Sequence, residues 1–201
     1  MSDAQEKIRK PRADSLRNRE HLLAAAKSAF GEAGVEAALE EVARRAGVGI
    51  GTLYRHFPTR AALLAAVYRR ELDQLAEAAD QLLIGKTPAE ALEQWFEVLI
   101  GYMATKRVVG PALRADPGEG AQVFASGGKS IRDSLGKLAA AAAQAGEIRA
   151  DLDEDDLQRL LMAFAQGYDR PGWEEGARRM LSILMAGLRA TRRGAGQGSD
   201  R

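Results

Sequence analysis

Apolar residues recur every three or four positions along almost the whole chain, which is the period of an amphipathic α-helix. In the short segment from Leu39 to Ala46, the apolar residues Leu39, Val42, Ala43 and Ala46 follow this spacing. β-branched residues are sparse, and no convincing run alternates apolar and polar positions as a half-buried strand does. The pattern therefore predicts an all-α fold.

Glycine and proline divide the pattern into separate helices, because neither continues an α-helix well. Residues 1–14 are predicted to be a disordered basic arm and residues 192–201 a disordered tail. Three polar residues stand at helix starts as predicted N-caps: Thr59, Thr87, which forms a capping box with Glu90, and Asp153. The predicted helices are Ser15–Ala33, Leu39–Ala46, Ile50–His56, Arg60–Leu83, a helix from Pro88 that carries apolar residues to Met103, a short one over Arg107–Leu113, Gly120–Ala145, one that follows Asp153 and reaches Tyr168, and a last one that reaches Thr191.

The composition removes several classes of site. The 201 residues include no cysteine and two histidines, His21 and His56. A disulfide framework, a zinc–thiolate site and a histidine-rich metal site are therefore excluded, and no metal or cofactor is predicted. No apolar run approaches the roughly 18 residues that a membrane span needs. A cytoplasmic protein without a membrane partner is expected.

The net charge of +1 conceals an asymmetry between the two ends of the chain. Residues 1–60 carry 11 Lys and Arg against 8 Asp and Glu, whereas residues 61–201 carry 18 against 20. A basic bias at one end favours a polyanionic partner there, although only weakly.

Two short predicted helices joined by Gly47, Val48 and Gly49 have the form of a helix-turn-helix, whose second helix enters the major groove of DNA. Leu53 and Phe57 are expected to hold the second helix by packing, since seven residues are too few for an isolated helix. From the pattern alone, this element could equally be a corner of an ordinary all-helical core. The candidate DNA-binding residues are Arg17, Arg44, Arg45, Ile50, Gly51, Thr52, Tyr54, Arg55, His56 and Arg60.

The string from Ala43 to Arg60, ARRAGVGIGTLYRHFPTR, resembles the DNA-binding domain of TetR-family transcriptional regulators. The resemblance implies a homeodomain-like three-helix unit over residues 15–59, followed by a larger helical domain over residues 60–191 that dimerises and binds a ligand. It implies DNA contacts by Gly51, Thr52, Tyr54 and His56, with Arg60 holding a phosphate. Two features depart from the family pattern: Ala37-Ala38 stands in place of a Ser or Thr cap, and Gly49-Ile50 in place of a polar pair. The second puts the base preference in doubt, because Ile50 cannot donate a hydrogen bond.

The middle helices carry an aromatic and methionine-rich set that is either ordinary core or the lining of a ligand cavity. The resemblance favours a cavity for a largely apolar small molecule. The last two long helices carry enough leucine to form the seam of a homodimer. The candidate ligand-binding residues are Phe96, Ile100, Met103, Phe124, Met162, Phe164 and Tyr168.

No catalytic residues are predicted. Gly128-Lys129-Ser130 ends like a P-loop, but Val123 stands at the position of the required first glycine. The aspartates at 151, 153 and 155 begin like a calcium loop, but Asp156 replaces its glycine. The sequence predicts a homodimeric repressor that binds a palindromic operator and is released by a ligand. An adaptor that has lost DNA binding and a helical enzyme with an unseen site remain as alternatives.

Overall fold

The computed structural model of the chain describes residues 3–116 and 118–189. Within these residues the secondary structure consists of eight α-helices and one isolated bridge between Ile148 and Arg189, which confirms the all-α prediction. The predicted tail over 192–201, the end of the last helix near Thr191 and Pro117 lie outside the described residues. The helices are α1 Asp3–Ala33, α2 Leu39–Arg45, α3 Ile50–His56, α4 Arg60–Gly85, α5 Pro88–Ala115, α6 Glu119–Gln144, α7 Glu154–Ala165 and α8 Trp173–Leu188.

The predicted caps are confirmed. The Thr59 hydroxyl accepts a hydrogen bond from the Ala62 amide at 3.0 Å. Thr87 and Glu90 exchange the two bonds of a capping box, at 3.4 and 3.2 Å. Asp153 caps α7 in the same reciprocal way. Each cap satisfies an amide that has no partner inside its helix, which fixes where these helices begin.

Two helices are longer than the sequence predicted. α1 begins at Asp3 and not at Ser15. The predicted arm over residues 1–14 stays a prediction as a division of the chain. Proline fixes φ near the helical value, so Pro11 removes one hydrogen bond without forcing the chain out of the helix. α5 runs without interruption to Ala115, so the separate short helix over 107–113 was also wrong. Ala104-Thr105-Lys106 contains no helix-breaking residue, and Pro111 is accommodated inside the helix.

The chain divides into two compact packing units. Unit 1 comprises the residues up to 74 together with 102–128, and unit 2 comprises 75–101 together with the residues from 129 onward. The division passes through α4, α5 and α6. The predicted boundary between domains at residues 59 and 60 stays a prediction, because packing units and functional domains are different divisions of a chain.

The core of unit 1 joins α1, α2, α3 and the first half of α4. Phe30, Val42, Leu53 and Tyr68 are fully buried in it. The Tyr68 and Tyr102 hydroxyls share a buried hydrogen bond of 2.6 Å, so each polar tip is satisfied by the other.

The core of unit 2 contains a chain of four aromatic rings. Trp95 contacts Phe96 edge-on with centroids 5.7 Å apart, Phe96 contacts Phe164 of α7 at 5.0 Å, and Phe164 contacts Trp173 of α8 edge-on at 6.2 Å. The Trp95 indole donates to the Leu75 carbonyl at 2.9 Å. The ring contacts therefore join α5 to α7 and α7 to α8, and the indole hydrogen bond joins α5 to α4.

Candidate nucleic-acid interface

The turn between α2 and α3 is built around one glycine. Gly47 has a φ of 70°, a left-handed conformation that glycine adopts without steric cost. The Val48 amide donates to the Ala43 carbonyl at 3.0 Å, and the Gly47 amide to the Arg44 carbonyl at 3.1 Å. These bonds close the end of α2 and turn the chain sharply into α3. The helix-turn-helix prediction is confirmed in its geometry.

α3 has only seven residues and is held by packing. Leu53 is its fully buried residue, and Phe57, which directly follows the helix, is also buried. The Arg19 guanidinium of α1 lies 5.1 Å from the centre of the Phe57 ring, which adds a cation–π contact. Burial of one face leaves the opposite face of α3 turned to solvent. The sequence did not predict this contact, because nothing local to Arg19 indicates an aromatic ring 38 residues away.

The outward face of α3 carries the predicted recognition residues. Tyr54 has 47% of its surface exposed, Ile50 and Arg55 are also exposed, and Thr52 and His56 are half-buried. Together they offer a hydroxyl, a phenol, a guanidinium, an imidazole and an apolar methyl group. These are the groups that bind phosphate oxygens, base edges and the thymine methyl.

α2 has no side-chain N-cap, as the sequence predicted. Its N-cap residue is Ala38, whose backbone is extended and whose carbonyl accepts from the amides of Glu41 and Val42. The other end of α2 is more strongly held, because Arg44 and Arg45 both pair with acids.

Arg45 joins α2 to α1. Its guanidinium donates to both carboxylate oxygens of Glu32 at 2.7 and 2.8 Å, and to Glu41 at 2.7 Å. Arg44 makes two further bonds to Glu41, each 2.7 Å long. Hydrogen bonds from Arg45 and Ser28 lower the pKa of Glu32 to about 2, and hydrogen bonds from Arg44 and Arg45 lower the pKa of Glu41 to about 2. Both arginines therefore brace the helix-turn-helix in the free protein, a use that the sequence analysis missed.

Arg60 and Arg17 also have protein partners. Nη1 of Arg60 donates to the carbonyls of Val35 and Ala37, at 2.6 and 2.7 Å. Arg60 thereby ties the start of α4 to the turn between α1 and α2, and its remaining nitrogens are the ones available for the predicted phosphate. Arg17 is exposed and pairs with Asp14 at 2.5 Å. The DNA contacts of both residues stay predictions.

The predicted ligand-binding residues are divided between the two packing units. Phe96, Ile100 and Phe164 are buried in unit 2, where Tyr168 is half-buried. Met103 is buried and Phe124 half-buried in unit 1. Met162 of α7 is exposed, with 65% of its surface accessible to solvent. Helical periodicity gives the face of each residue only within its own helix, so the sequence could not separate these groups.

Comparison with known proteins decides what this helix-turn-helix belongs to. Residues 22–67 match the sequence profile of the bacterial regulatory proteins of the tetR family. Residues 87–190 match the C-terminal domain of SbtR-like transcriptional regulators, another profile of the same family. The chain belongs to the TetR family of transcriptional regulators.

Solved and curated TetR-family relatives agree with this assignment. The regulator SCO0520 from Streptomyces coelicolor is 42% identical, with a TM-score of 0.77, and the match covers 86% of this chain and 99% of that one. LfrR from Mycobacterium smegmatis, solved in complex with proflavine, is 25% identical with a TM-score of 0.57, over 87% and 99% of the two chains. A curated HTH-type transcriptional regulator of Staphylococcus aureus (strain USA300) is 40% identical over 63 residues, which are 31% of this chain. This last match spans 34% of the relative's own length.

Family membership fixes the coarse function. TetR-family proteins are DNA-binding transcription regulators and not enzymes, which confirms the interpretation that this TetR-family chain has no catalytic role. Over residues 3–116 and 118–189, no helix is both long and apolar enough to cross a membrane.

Proposed function

We propose that this TetR-family regulator is a homodimeric repressor of a palindromic operator and is released from it by a small, largely apolar ligand. The observation that carries the proposal is the outward face of α3, which presents Tyr54 and Arg55 to solvent while Leu53 anchors the helix from behind. A short helix with one buried anchor and a face of hydrogen-bond donors is suited to insertion into the major groove.

The proposed contacts fall into two groups. Ile50, Thr52 and the other residues on the outward face of α3 would lie nearest to the base edges, where Ile50 would touch a thymine methyl and Gly51 would allow close approach of the backbone. Arg17, Arg44, Arg45 and Arg60 flank them and would contact phosphates. Because Arg44 and Arg45 already pair with Glu41, they contribute less to DNA affinity than unpaired arginines would.

Selection of bound duplexes from a random-sequence DNA pool, followed by measurement of Kd at two salt concentrations, tests the proposal. The expected result is an imperfect palindrome with half-sites about one helical turn or somewhat more apart, bound with steep salt dependence. Failure to enrich any duplex, both alone and with candidate ligands added, would contradict it and would favour the alternative of a helical adaptor that has lost DNA binding.

Dimerisation is proposed through α7 and α8, as the sequence predicted. Both helices leave large apolar side chains exposed: Met162 on α7, and Met180 and Ile183 on α8. Ile183 has 73% of its surface exposed, and the neighbouring Leu184 is half-buried. A second copy of the chain that covers this face would remove it from water. Sedimentation equilibrium of the intact chain tests this, with a dimer expected and a monomer at micromolar concentration contradicting it.

The proposed ligand site includes the buried aromatic residues Phe96 of α5 and Phe164 of α7, together with Ile100, which follows Phe96 by four residues in α5. Its support is the apolar character of this set and the relative LfrR, which was solved with the planar aromatic compound proflavine. The chain's only two tryptophans, Trp95 and Trp173, contact these phenylalanines. Titration with proflavine should therefore quench tryptophan fluorescence and weaken operator binding. The factor by which proflavine weakens operator binding must equal the factor by which the operator weakens proflavine binding. A titration that changes neither the fluorescence nor the operator affinity would contradict this site for planar aromatic ligands.

A further inference from the structure

Unit 1 contains one buried carboxylate that joins three helices. Glu71 lies in the first half of α4 and has 5% of its surface exposed. Its Oε2 atom accepts a hydrogen bond from Nζ of Lys27, on α1, at 2.7 Å. The same oxygen accepts a second bond from the hydroxyl of Thr105, on α5, at 3.2 Å. A single atom of α4 is therefore bonded to both α1 and α5.

The two bonds to Glu71 differ in character. The Lys27 bond is short and neutralises the carboxylate, which a buried charge requires. The Thr105 bond is longer, and its donor has an alternative acceptor, because a threonine hydroxyl inside a helix commonly bonds to a backbone carbonyl of the preceding turn. A small displacement of α5 can therefore break the bond to Glu71 without leaving the Thr105 hydroxyl unsatisfied. The contact is suited to being made in one state and broken in another.

The α1 end of this network leads directly to the helix-turn-helix. Ser28, next to Lys27, and Glu32, one turn further on, both bond to Arg45 of α2. α2 in turn contacts α3, the recognition helix. Hydrogen bonds of 2.7 to 3.3 Å therefore join α5 to α4, α4 to α1 and α1 to α2, and the step from Lys27 to Ser28 and Glu32 runs along the backbone of α1.

We propose that Glu71 is a positioning residue for operator binding, and that the Thr105 hydroxyl makes this positioning depend on α5. With the Thr105 bond made, the carboxylate holds Lys27, and with it α1, in the position that places α3 for specific binding. With the bond broken, the carboxylate is held by Lys27 alone and α1 gains freedom. The effect falls on sequence-specific binding, which needs α3 in register with the bases, and not on general attraction to phosphates. The inference rests on the proposed operator binding.

Thr105→Val tests the proposal because it removes the hydroxyl and keeps the side-chain shape. The measurement is the Kd for the selected operator, compared with the Kd for an unrelated duplex of equal length. Thr105→Val is expected to weaken operator binding about fivefold or more, with binding to the unrelated duplex unchanged. Thr105→Ser restores the donor and should restore operator affinity. Thr105→Ala removes the same donor and replaces the valine variant if that variant does not fold.

A double-mutant cycle separates coupling from a loss of local packing. In a Lys27→Met background the effect of Thr105→Val should largely disappear, because the link from Glu71 to α1 is already broken. The matched control is Glu20→Gln, which breaks the 2.8 Å ion pair between Glu20 and Arg70. That pair also joins α1 to α4 but does not include Thr105, so the full effect of Thr105→Val should persist in this background.

Two results would overturn the coupling alone: a wild-type protein that selects an operator which Thr105→Val binds equally well, or a Thr105→Val effect that is the same in the Lys27→Met background. If the melting temperature falls in the first of these cases, Thr105 has a structural role only. A wild-type protein that selects no duplex would overturn the proposed operator binding, and this inference with it.

Discussion

Replacement of Arg60 by methionine separates two roles that the sequence and the structure give this residue. The resemblance to the TetR family implies that Arg60 holds a DNA phosphate. In the structure its Nη1 atom donates to the carbonyls of Val35 and Ala37, at 2.6 and 2.7 Å, and ties α4 to the turn before α2. Methionine keeps most of the side-chain volume and removes every donor. We therefore expect Arg60→Met to lower stability as well as DNA affinity.

The size of the effect follows from the two lost bonds. A hydrogen bond with a charged partner contributes about 1.5–3 kcal/mol net. Both bonds use one nitrogen and the site is half-buried, so the lower end applies to each, and the expected loss of unfolding free energy is about 3 kcal/mol. For a chain of 150–250 residues this corresponds to a fall in Tm of roughly 6–12 °C.

Two measurements on two variants give the comparison. Urea unfolding reports the change in stability, and the slope of log K against log salt for the selected operator reports the number of phosphates neutralised. The matched variant is Arg55→Met, at an exposed position of α3. It should lower the salt slope by about 1 with little change in stability. Arg60→Met should lower both quantities, the stability through the two lost carbonyl bonds and the salt slope through the lost phosphate contact.

The reasoning would be refuted if Arg60→Met unfolded at the same urea concentration as the wild type. A salt slope lowered by about 1 with unchanged stability would show that the two carbonyl bonds contribute nothing net and that Arg60 serves DNA alone. If stability and salt slope both fell, Nη1 would brace the turn while the other guanidinium nitrogens contact phosphate.

Three further predictions concern the recognition helix, the proposed dimer and the acid sensitivity of the helix-turn-helix. Leu53→Ala removes the buried anchor of α3 and should lower unfolding free energy by about 2–5 kcal/mol and abolish specific operator binding; a wild-type urea midpoint would contradict this. Ile183→Glu should yield a monomer in sedimentation equilibrium. The control Ile84→Glu alters an isoleucine of α4 that is 80% exposed and should leave the dimer intact. Equal effects of the two variants would contradict a dimer interface on α8. Glu32 and Glu41 have pKa values of about 2, depressed from 4.5, so their stabilising contribution is complete above pH 4.5 and is lost as the pH falls toward 2. The fall in Tm over this interval should be shallower in Arg45→Met, which removes the arginine that lowers both pKa values, and an identical fall would contradict the assignment.

Local signals predicted the positions of the helices well because each signal acts within one turn of the chain. Thr59, Thr87 and Asp153 cap helices through amides three residues away. Gly47 ends α2 because its own φ is positive. Of the two errors, the start of α1 concerns Pro11, which lies inside the helix in the structure, whereas the division of α5 was predicted at residues 104–106, where no helix-breaking residue stands. Proline does not always mark the end of a helix. It removes one backbone hydrogen bond, and the remaining hydrogen bonds of a long helix can maintain the helical conformation.

Sequence by itself determined the fold class, the helix-turn-helix and the outward residues of α3, because these depend on periodicity and on a contiguous motif. Tertiary structure decided what the charged side chains near that motif contact. Glu32 lies 13 residues from Arg45, and Thr105 lies 34 residues from Glu71, yet each pair is hydrogen-bonded. Such contacts depend on how helices cross in space, and helical periodicity carries no information about the partner helix. The sequence predicted Arg45 and Arg60 as phosphate ligands, and only the fold showed that they also bond to carboxylate and carbonyl partners within the protein.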